Sequence, residues 1–157
     1  MDWKQQLVRF VLIGGEFESY AILLVRVLLG LFFAISGGYK LFVSSHTETM
    51  YKTLVEARIP FPRLMTYLVS SVEFIGGIMI VAGFLTSLAS AALLGDMIVA
   101  VLTSKFSGME KGVSPLTWLD NFLYLPEVLY VLFFVWLMCA GPGRFSIDYL
   151  LAQKLSG

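Results

Sequence analysis

Long runs of apolar residues, separated by short polar stretches, dominate the chain. The first run begins at residue 20 and ends at residue 42, and the charges within it are Arg26 and Lys40. A hydrocarbon core of about 30 Å needs about 20 helical residues. We therefore predict a transmembrane helix over residues 20–42, with Lys40 near one end of it and Arg26 well inside.

Three further spans are expected from the same pattern. Residues 64–104 are almost continuously apolar but too long for one helix, so a turn is required. Gly83 is suited to end a helix, and Thr86 or Ser87 to cap the next one. The last run follows Pro126, which suits a first helical turn. The predicted spans are residues 20–42, 64–84, 88–104 and 125–141.

The start of the chain has a different pattern. Within residues 1–15, Trp3, Leu7 and Phe10 recur at helical spacing, opposite Lys4. This is typical of an amphipathic helix lying in the membrane interface. A signal peptide is the alternative, but its apolar run would be short and no cleavage site follows. The expected fold is an all-α integral membrane bundle of four transmembrane helices with an N-terminal interfacial helix, forming one domain over residues 1–157.

Composition supports a membrane protein and excludes several other classes. Of 157 residues, 58% are hydrophobic and 14% charged, and the mean hydropathy is +0.83. The net charge of zero provides no basic surface for nucleic acid. Cys139 and His46 are the single cysteine and histidine, so we expect neither a disulfide nor a metal centre.

Charged residues lie within membrane depth on every predicted span. They are Arg26, Lys40, Glu73, Asp96 and Glu127. By helical rise, Asp96 lies near the level of Arg26, and Glu127 near that of Lys40. Such residues normally face the interior of a bundle and form a pathway, a proton relay or a ligand site. A structural polar core that fixes helix register is the alternative. We predict that Glu73 faces Arg26, Lys40 or both.

Three sequence blocks resemble the DoxX family of small four-helix membrane proteins. They are VRVLLGLFFAISGGYKL, IPFPRLMTYLVSSVEFIGGIMIVAGFLT and GPGRFSID, in that order. Asp96 belongs to no recognised motif, and Glu127 fits one only loosely. The motif positions are Arg26, Gly30, Gly38, Lys40, Glu73, Gly76, Gly77, Gly83, Gly141, Pro142, Gly143, Ser146 and Asp148.

The third block predicts how the last span ends. Pro142 stops the helix, and Ser146 can cap the next turn. Asp148 follows two residues later, where a helix N-terminus favours negative charge. We expect Arg144 either to pair with Asp148 or to anchor the chain to phosphate headgroups.

The resemblance implies a membrane subunit of a redox system, such as quinone-coupled thiosulfate oxidation, or a partner of oxidative-stress proteins. It implies the bacterial inner membrane, a quinone as the cofactor and a membrane or periplasmic redox protein as partner. A second copy of the chain is a further expected partner. Arg26, Lys40 and Glu73 would form its polar site, and no catalytic residue is identified. The alternative is a small transporter or proton-linked permease in which Glu73 and Asp96 titrate.

Overall fold

A computed structural model describes residues 17–105 and 112–156, except for the side chains of residues 104 and 105. The described part is helical and contains no strand. The helices are α1 (Glu18–Phe42), α2 (Ser44–Glu56), α3 (Pro62–Ala82), α4 (Thr86–Ala100), α5 (Pro115–Leu123), α6 (Pro126–Ala140) and α7 (Ile147–Ser156). A π-helical turn, Val101–Lys105, continues α4. The predicted N-terminal interfacial helix lies outside the described residues.

Several of these helices are suited to cross a bilayer. By length and composition, α1, α3 and the segment Thr86–Thr103 each qualify as a span. The helices α5 and α6 qualify only as a pair, and a bend of 65° separates them. The all-α membrane fold is therefore confirmed, with three or four candidate spans among the described residues.

The chain order defines two ends of this bundle. The terminal end contains the α3–α4 turn (residues 83–85) and the exit loop, which we define as residues 141–146 between α6 and α7. The distal end contains α2, which joins α1 to α3, and α5, which precedes α6.

The helices α1 and α3 cross closely because glycines face each other. A Cβ at Gly30 would lie 2.7 Å from the Gly77 carbonyl oxygen, and a Cβ at Gly77 would lie 2.6 Å from the Gly30 carbonyl oxygen. Gly37 also contacts the α3 backbone, where a Cβ would approach an oxygen to 2.8 Å. Gly38 makes only ordinary contact, because its Cβ would lie 3.4 Å from the Phe74 ring. Small residues thus allow close backbone packing within the membrane.

An apolar core that includes two buried phenylalanine rings lies inside the bundle. The helix α4 packs against both α3 and α6. Gly76 on α3 leaves room for Leu93 on α4, whose Cγ would lie 3.1 Å from an added Cβ. The fully buried apolar side chains in this core include Phe33, Ile80, Leu93, Phe134 and Leu137.

The polar connector between the first two spans is itself a helix, α2. Its start is fixed by Val43, which is extended, and by the Thr47 hydroxyl, which donates to the Lys40 carbonyl oxygen at 2.6 Å. After α2 ends, the chain turns toward α3 through two residues in the left-handed backbone region, Arg58 (φ 55°) and Phe61 (φ 52°). The helix packs on both α1 and α3, so it covers the distal end of that helix pair.

Candidate functional site

An ion pair joins α1 to α3 in the distal half of the bundle. The Lys40 ammonium lies 2.6 Å from both carboxylate oxygens of Glu73. The Glu73 side chain is 4% exposed and that of Lys40 is 24% exposed, so the lysine reaches the acid from the distal end. The prediction that Glu73 faces a basic side chain inside the bundle is confirmed for Lys40. A buried carboxylate of this kind would be costly without its cation.

The ion pair forms part of the wall of a cavity of about 300 Å³. Four of the five predicted intramembrane charges line it: Lys40 from α1, Glu73 from α3, Asp96 from α4 and Glu127 from α6. The structure thus brings together charges from four helices at one place. Leu54 and Met50 of α2 also line the cavity, so the connector helix covers its distal side.

Aromatic rings form another wall of the same cavity. Tyr130 of α6 lies with its ring centroid 5.1 Å from that of Phe32 and 5.3 Å from that of Phe33, both on α1. Phe33 in turn contacts Phe134 at 5.1 Å. The cavity therefore combines flat apolar surfaces with charged groups, as ligand pockets commonly do. Sequence reasoning did not identify this aromatic wall, because its members come from the first and last spans.

Asp96 is one cavity residue whose hydrogen bonding is incomplete within the described part of the chain. Its Oδ2 is buried, and within residues 17–105 and 112–156 it has no hydrogen-bond partner. Glu73 and Lys40 are close enough to act on it electrostatically. Buried polar atoms in proteins are almost always satisfied by a protein group, water or a ligand. The Asp96 carboxyl is therefore well placed to bind a group from outside the chain.

Arg26 does not share this cavity, contrary to the expectation that it would form a site with Lys40 and Glu73. It is 2% exposed, and its guanidinium donates to the carbonyl oxygens of Pro142 and Phe145 in the exit loop. Residue counting put Arg26 near the depth of Asp96. However, helical side chains lean toward the helix N-terminus, and this long one extends to the terminal end.

Gly83 makes room for that guanidinium. It adopts φ 66°, and a Cβ there would lie 2.6 Å from the Ser146 Cβ and equally crowd the arginine. Ser146 caps α7 as predicted, accepting from the Tyr149 amide at 3.1 Å. Its own hydroxyl donates to the Gly143 carbonyl oxygen at 2.7 Å. The motif residues of the terminal end thus meet around Arg26.

The carboxylate of Asp148 caps α4, and the pair with Arg144, one of the two roles expected for that arginine, does not form. The Asp148 carboxylate accepts from the amides of Leu85 and Thr86 at 2.7 and 2.8 Å and from the Thr86 hydroxyl at 2.9 Å. The expected pair with Arg144 is absent, and Arg144 is exposed. The expected capping of α4 by its own Thr86 or Ser87 side chain is also wrong. The cap comes from Asp148, 62 residues beyond Thr86, and no local sequence pattern indicates it.

Glycines allow the exit loop to fold back onto the bundle. Gly141 and Gly143 adopt φ 77° and 73°, values that favour glycine. A Cβ on Gly143 would lie 3.1 Å from Ile22 of α1, so the loop packs tightly there. Across the described part of the chain, no group of three or more His, Cys, Asp or Glu side chains could hold a metal ion.

Comparison with known proteins shows the family of this chain. The sequence pattern of the DoxX family matches residues 21–105, which is more than half of the chain. The chain belongs to the DoxX family. A relative in Escherichia coli (strain K12), described as inner membrane protein YqjF, is 27% identical over 139 residues, covering 88% of this chain and 98% of the relative. No solved structure matches the chain.

This DoxX protein is a multi-pass protein of the inner membrane, as its family, its Escherichia coli relative and its several candidate spans together indicate. The matched region contains α1, α3 and α4, and so three of the four charged cavity residues. Glu127 and the exit loop lie beyond it. The lipid bilayer is therefore the surrounding solvent of the exposed apolar side chains on these helices.

Proposed function

We propose that this DoxX protein is an accessory membrane subunit of a quinone-linked redox system in a bacterial inner membrane, and that the cavity is its quinone site. The observation that supports this is the pairing of an aromatic wall with the buried Oδ2 of Asp96, which has no hydrogen-bond partner among the described residues. The volume of about 300 Å³ suits one substituted quinone ring, with its tail in lipid, and lies at the lower limit of common ligand pockets.

The cavity residues fit such a ring chemically. The faces of Phe32 and Tyr130 offer apolar surfaces for a flat ring. Quinone carbonyl oxygens need hydrogen-bond donors, which the Lys40 ammonium and a protonated Asp96 carboxyl would provide. A bound quinone would supply two-electron, two-proton redox chemistry. Glu73 would hold Lys40 in position for this role through their ion pair.

The electrons in this proposal come from another protein. Candidate donors are a membrane or periplasmic subunit that oxidises thiosulfate, or an oxidative-stress protein. A second copy of the chain is a further candidate partner. On this account the chain positions the quinone and contributes protons through Asp96, and it has no oxidoreductase activity alone.

The test is the quinone content of the purified protein. Protein extracted in mild detergent should carry a stoichiometric amount of quinone, measured by solvent extraction and mass spectrometry. Tyr130→Leu should lose it, because one face of the ring site is removed, whereas Tyr124→Leu, on a tyrosine that is 80% exposed outside the cavity, should keep it. A quinone content equal in all three proteins, or no quinone in the native one, would reject the proposal.

A small proton-linked permease is a second candidate. It is favoured by the presence of Glu73 and Asp96 in the same cavity, close enough to act on each other electrostatically. Intramembrane acids in that arrangement commonly relay protons. Liposomes containing only this protein should then show proton flux that Asp96→Asn abolishes and Asp120→Asn, outside the cavity, does not. Proton-tight liposomes would exclude it.

We further propose four spans, a single domain over residues 1–157, and an interfacial helix before α1. In the proposed topology α6 is the fourth span, and α5 lies along the distal surface at the 65° bend. Both chain ends would then share one side. In a Cys139→Ala background, single cysteines at residues 46 and 112 should react from the side opposite to one at Arg144. Labelling of residue 46 from the same side as residue 144 would contradict four spans.

A further inference from the structure

A second pocket, separate from the charged cavity, lies between the connector helix α2 and the start of α3. Its volume is about 370 Å³. We call it the interfacial pocket, and its lining residues are Thr47, Glu48, Tyr51, Arg63, Thr66 and Tyr67. All of these are polar or carry a hydroxyl, whereas the charged cavity has an aromatic wall.

The position of this pocket corresponds to the headgroup layer of a bilayer. The helix α3 begins at Pro62, so Arg63 and Tyr67 belong to its first two turns. Next to them, Phe61, Leu64 and Leu68 are 75%, 61% and 48% exposed, as expected for side chains in contact with acyl chains. Tyrosine and arginine at such a boundary typically sit at headgroup level. The pocket therefore opens where phosphate groups and acyl chains meet.

Opposite charges line the interfacial pocket. Arg63 lies with its guanidinium carbon 6.0 Å from the centre of the Tyr51 ring, which keeps it beside the pocket. Glu48 is on the α2 side, and its ion pair with Lys52 is long, at 3.8 Å, between mostly exposed groups. Exposed ion pairs of this kind contribute little to stability, so the Glu48 carboxylate is available to accept a hydrogen bond from another cation.

The hydroxyl groups divide into two kinds. The Thr66 hydroxyl donates to the Pro62 carbonyl oxygen at 2.8 Å, and the Thr47 hydroxyl donates to the Lys40 carbonyl oxygen at 2.6 Å, so both have their protons engaged. The phenols of Tyr51 and Tyr67 are donors beside Arg63. The arginine side therefore offers donors to an anion, and the Glu48 side offers acceptors to a cation.

We propose that the interfacial pocket binds a phospholipid whose phosphate carries a primary ammonium group, as in phosphatidylethanolamine. The phosphate would accept from Arg63 and the phenols, and the ammonium would donate to Glu48. A quaternary ammonium headgroup has no N–H to donate, and an anionic headgroup would place its negative charges near Glu48. Neither matches both sides of the pocket.

Competition between lipids tests this. The detergent-purified protein is incubated with equimolar phosphatidylethanolamine, phosphatidylcholine and phosphatidylglycerol of identical acyl chains, and bound lipid is counted by native mass spectrometry. Retention of the ethanolamine lipid should exceed that of either other lipid by about tenfold, the ratio that one good charge-assisted contact supports. Equal retention of the three lipids would overturn the proposal, and so would preference for the anionic lipid.

Matched variants locate the site. Glu48→Gln should abolish the preference for ethanolamine over choline, and Arg63→Gln should lower retention of both. Glu56→Gln and Arg58→Gln, on neighbouring exposed residues outside the pocket, should change neither. Soluble phosphoethanolamine should not displace the lipid, because it lacks the acyl chains that pack on Leu64; its effective competition would show a free phosphate-ester site instead. If lipid retention and the ethanolamine preference fell equally in the two control variants, the assignment of the lipid site to the interfacial pocket would be overturned.

Discussion

Removal of the Asp148 carboxylate is predicted to weaken the terminal end of the bundle. That carboxylate accepts from the amides of Leu85 and Thr86 and from the Thr86 hydroxyl, at 2.7 to 2.9 Å. These groups open α4, where a helix N-terminus favours negative charge. Asp148 also acts electrostatically on the buried Arg26. Asp148→Ala removes all of these interactions at once.

The size of the expected loss of stability depends on which hydrogen-bond donors lose their acceptor. The bond to the Leu85 amide is exposed, so water can replace it, whereas Thr86 is fully buried. Leaving a buried donor unsatisfied costs about 1–3 kcal/mol, and losing an N-cap costs about 1 kcal/mol. We expect a loss of about 2–4 kcal/mol in total. At about 2–4 °C per kcal/mol for a chain of this size, Tm should fall by about 4–16 °C.

The assay is thermal unfolding in detergent followed by circular dichroism, extended to a double-mutant cycle. Thr86→Val removes the hydroxyl donor, so its loss and that of Asp148→Ala should be less than additive. Arg144→Gln serves as the matched control and should leave Tm unchanged. An unchanged Tm for Asp148→Ala would refute the capping role, and strict additivity with Thr86→Val would refute the contact between them.

Further variants test the α1–α3 interface. Lys40→Met leaves the buried Glu73 carboxylate without its cation and should lower the stability by about 3–5 kcal/mol. Its Tm should therefore be lower than that of the double variant Lys40→Met/Glu73→Leu. The reverse order would contradict the ion pair. Gly77→Ala places a Cβ 2.6 Å from the Gly30 carbonyl oxygen and should lower Tm, whereas Gly95→Ala, with nothing within 4 Å, should not. If Tm fell by similar amounts in both alanine variants, the close crossing of α1 and α3 would not be the reason that Gly77 matters for stability.

The all-α membrane fold could be predicted from the sequence because apolar runs of sufficient length have few alternatives in a bilayer. The turn near Gly83 was predictable for a similar reason, since residues 64–104 are too long for one span and glycine favours a helix end. The Lys40–Glu73 pair was partly predictable, because a buried acid within a span requires a partner. These inferences depend on local pattern and on the membrane thickness.

The remaining features depend on contacts between distant segments. Arg26 was assigned to the wrong neighbours, because its depth along α1 does not show that its side chain reaches the exit loop. A pair between Asp148 and nearby Arg144 was one of two alternatives, whereas the partners of Asp148 lie at the start of α4. The aromatic wall around Tyr130 combines the first and last spans, and no periodicity within either one indicates that they meet.

The most direct test of the quinone site is photolabelling with a light-activated quinone analogue in membranes, followed by peptide mapping. The account predicts that label concentrates on the peptides containing Phe32 and Tyr130, that excess unlabelled quinone prevents it, and that Asp96→Leu reduces it while Asp120→Leu does not. Label spread evenly over lipid-facing peptides of α1, α3 and α6, unaffected by competing quinone, would contradict it.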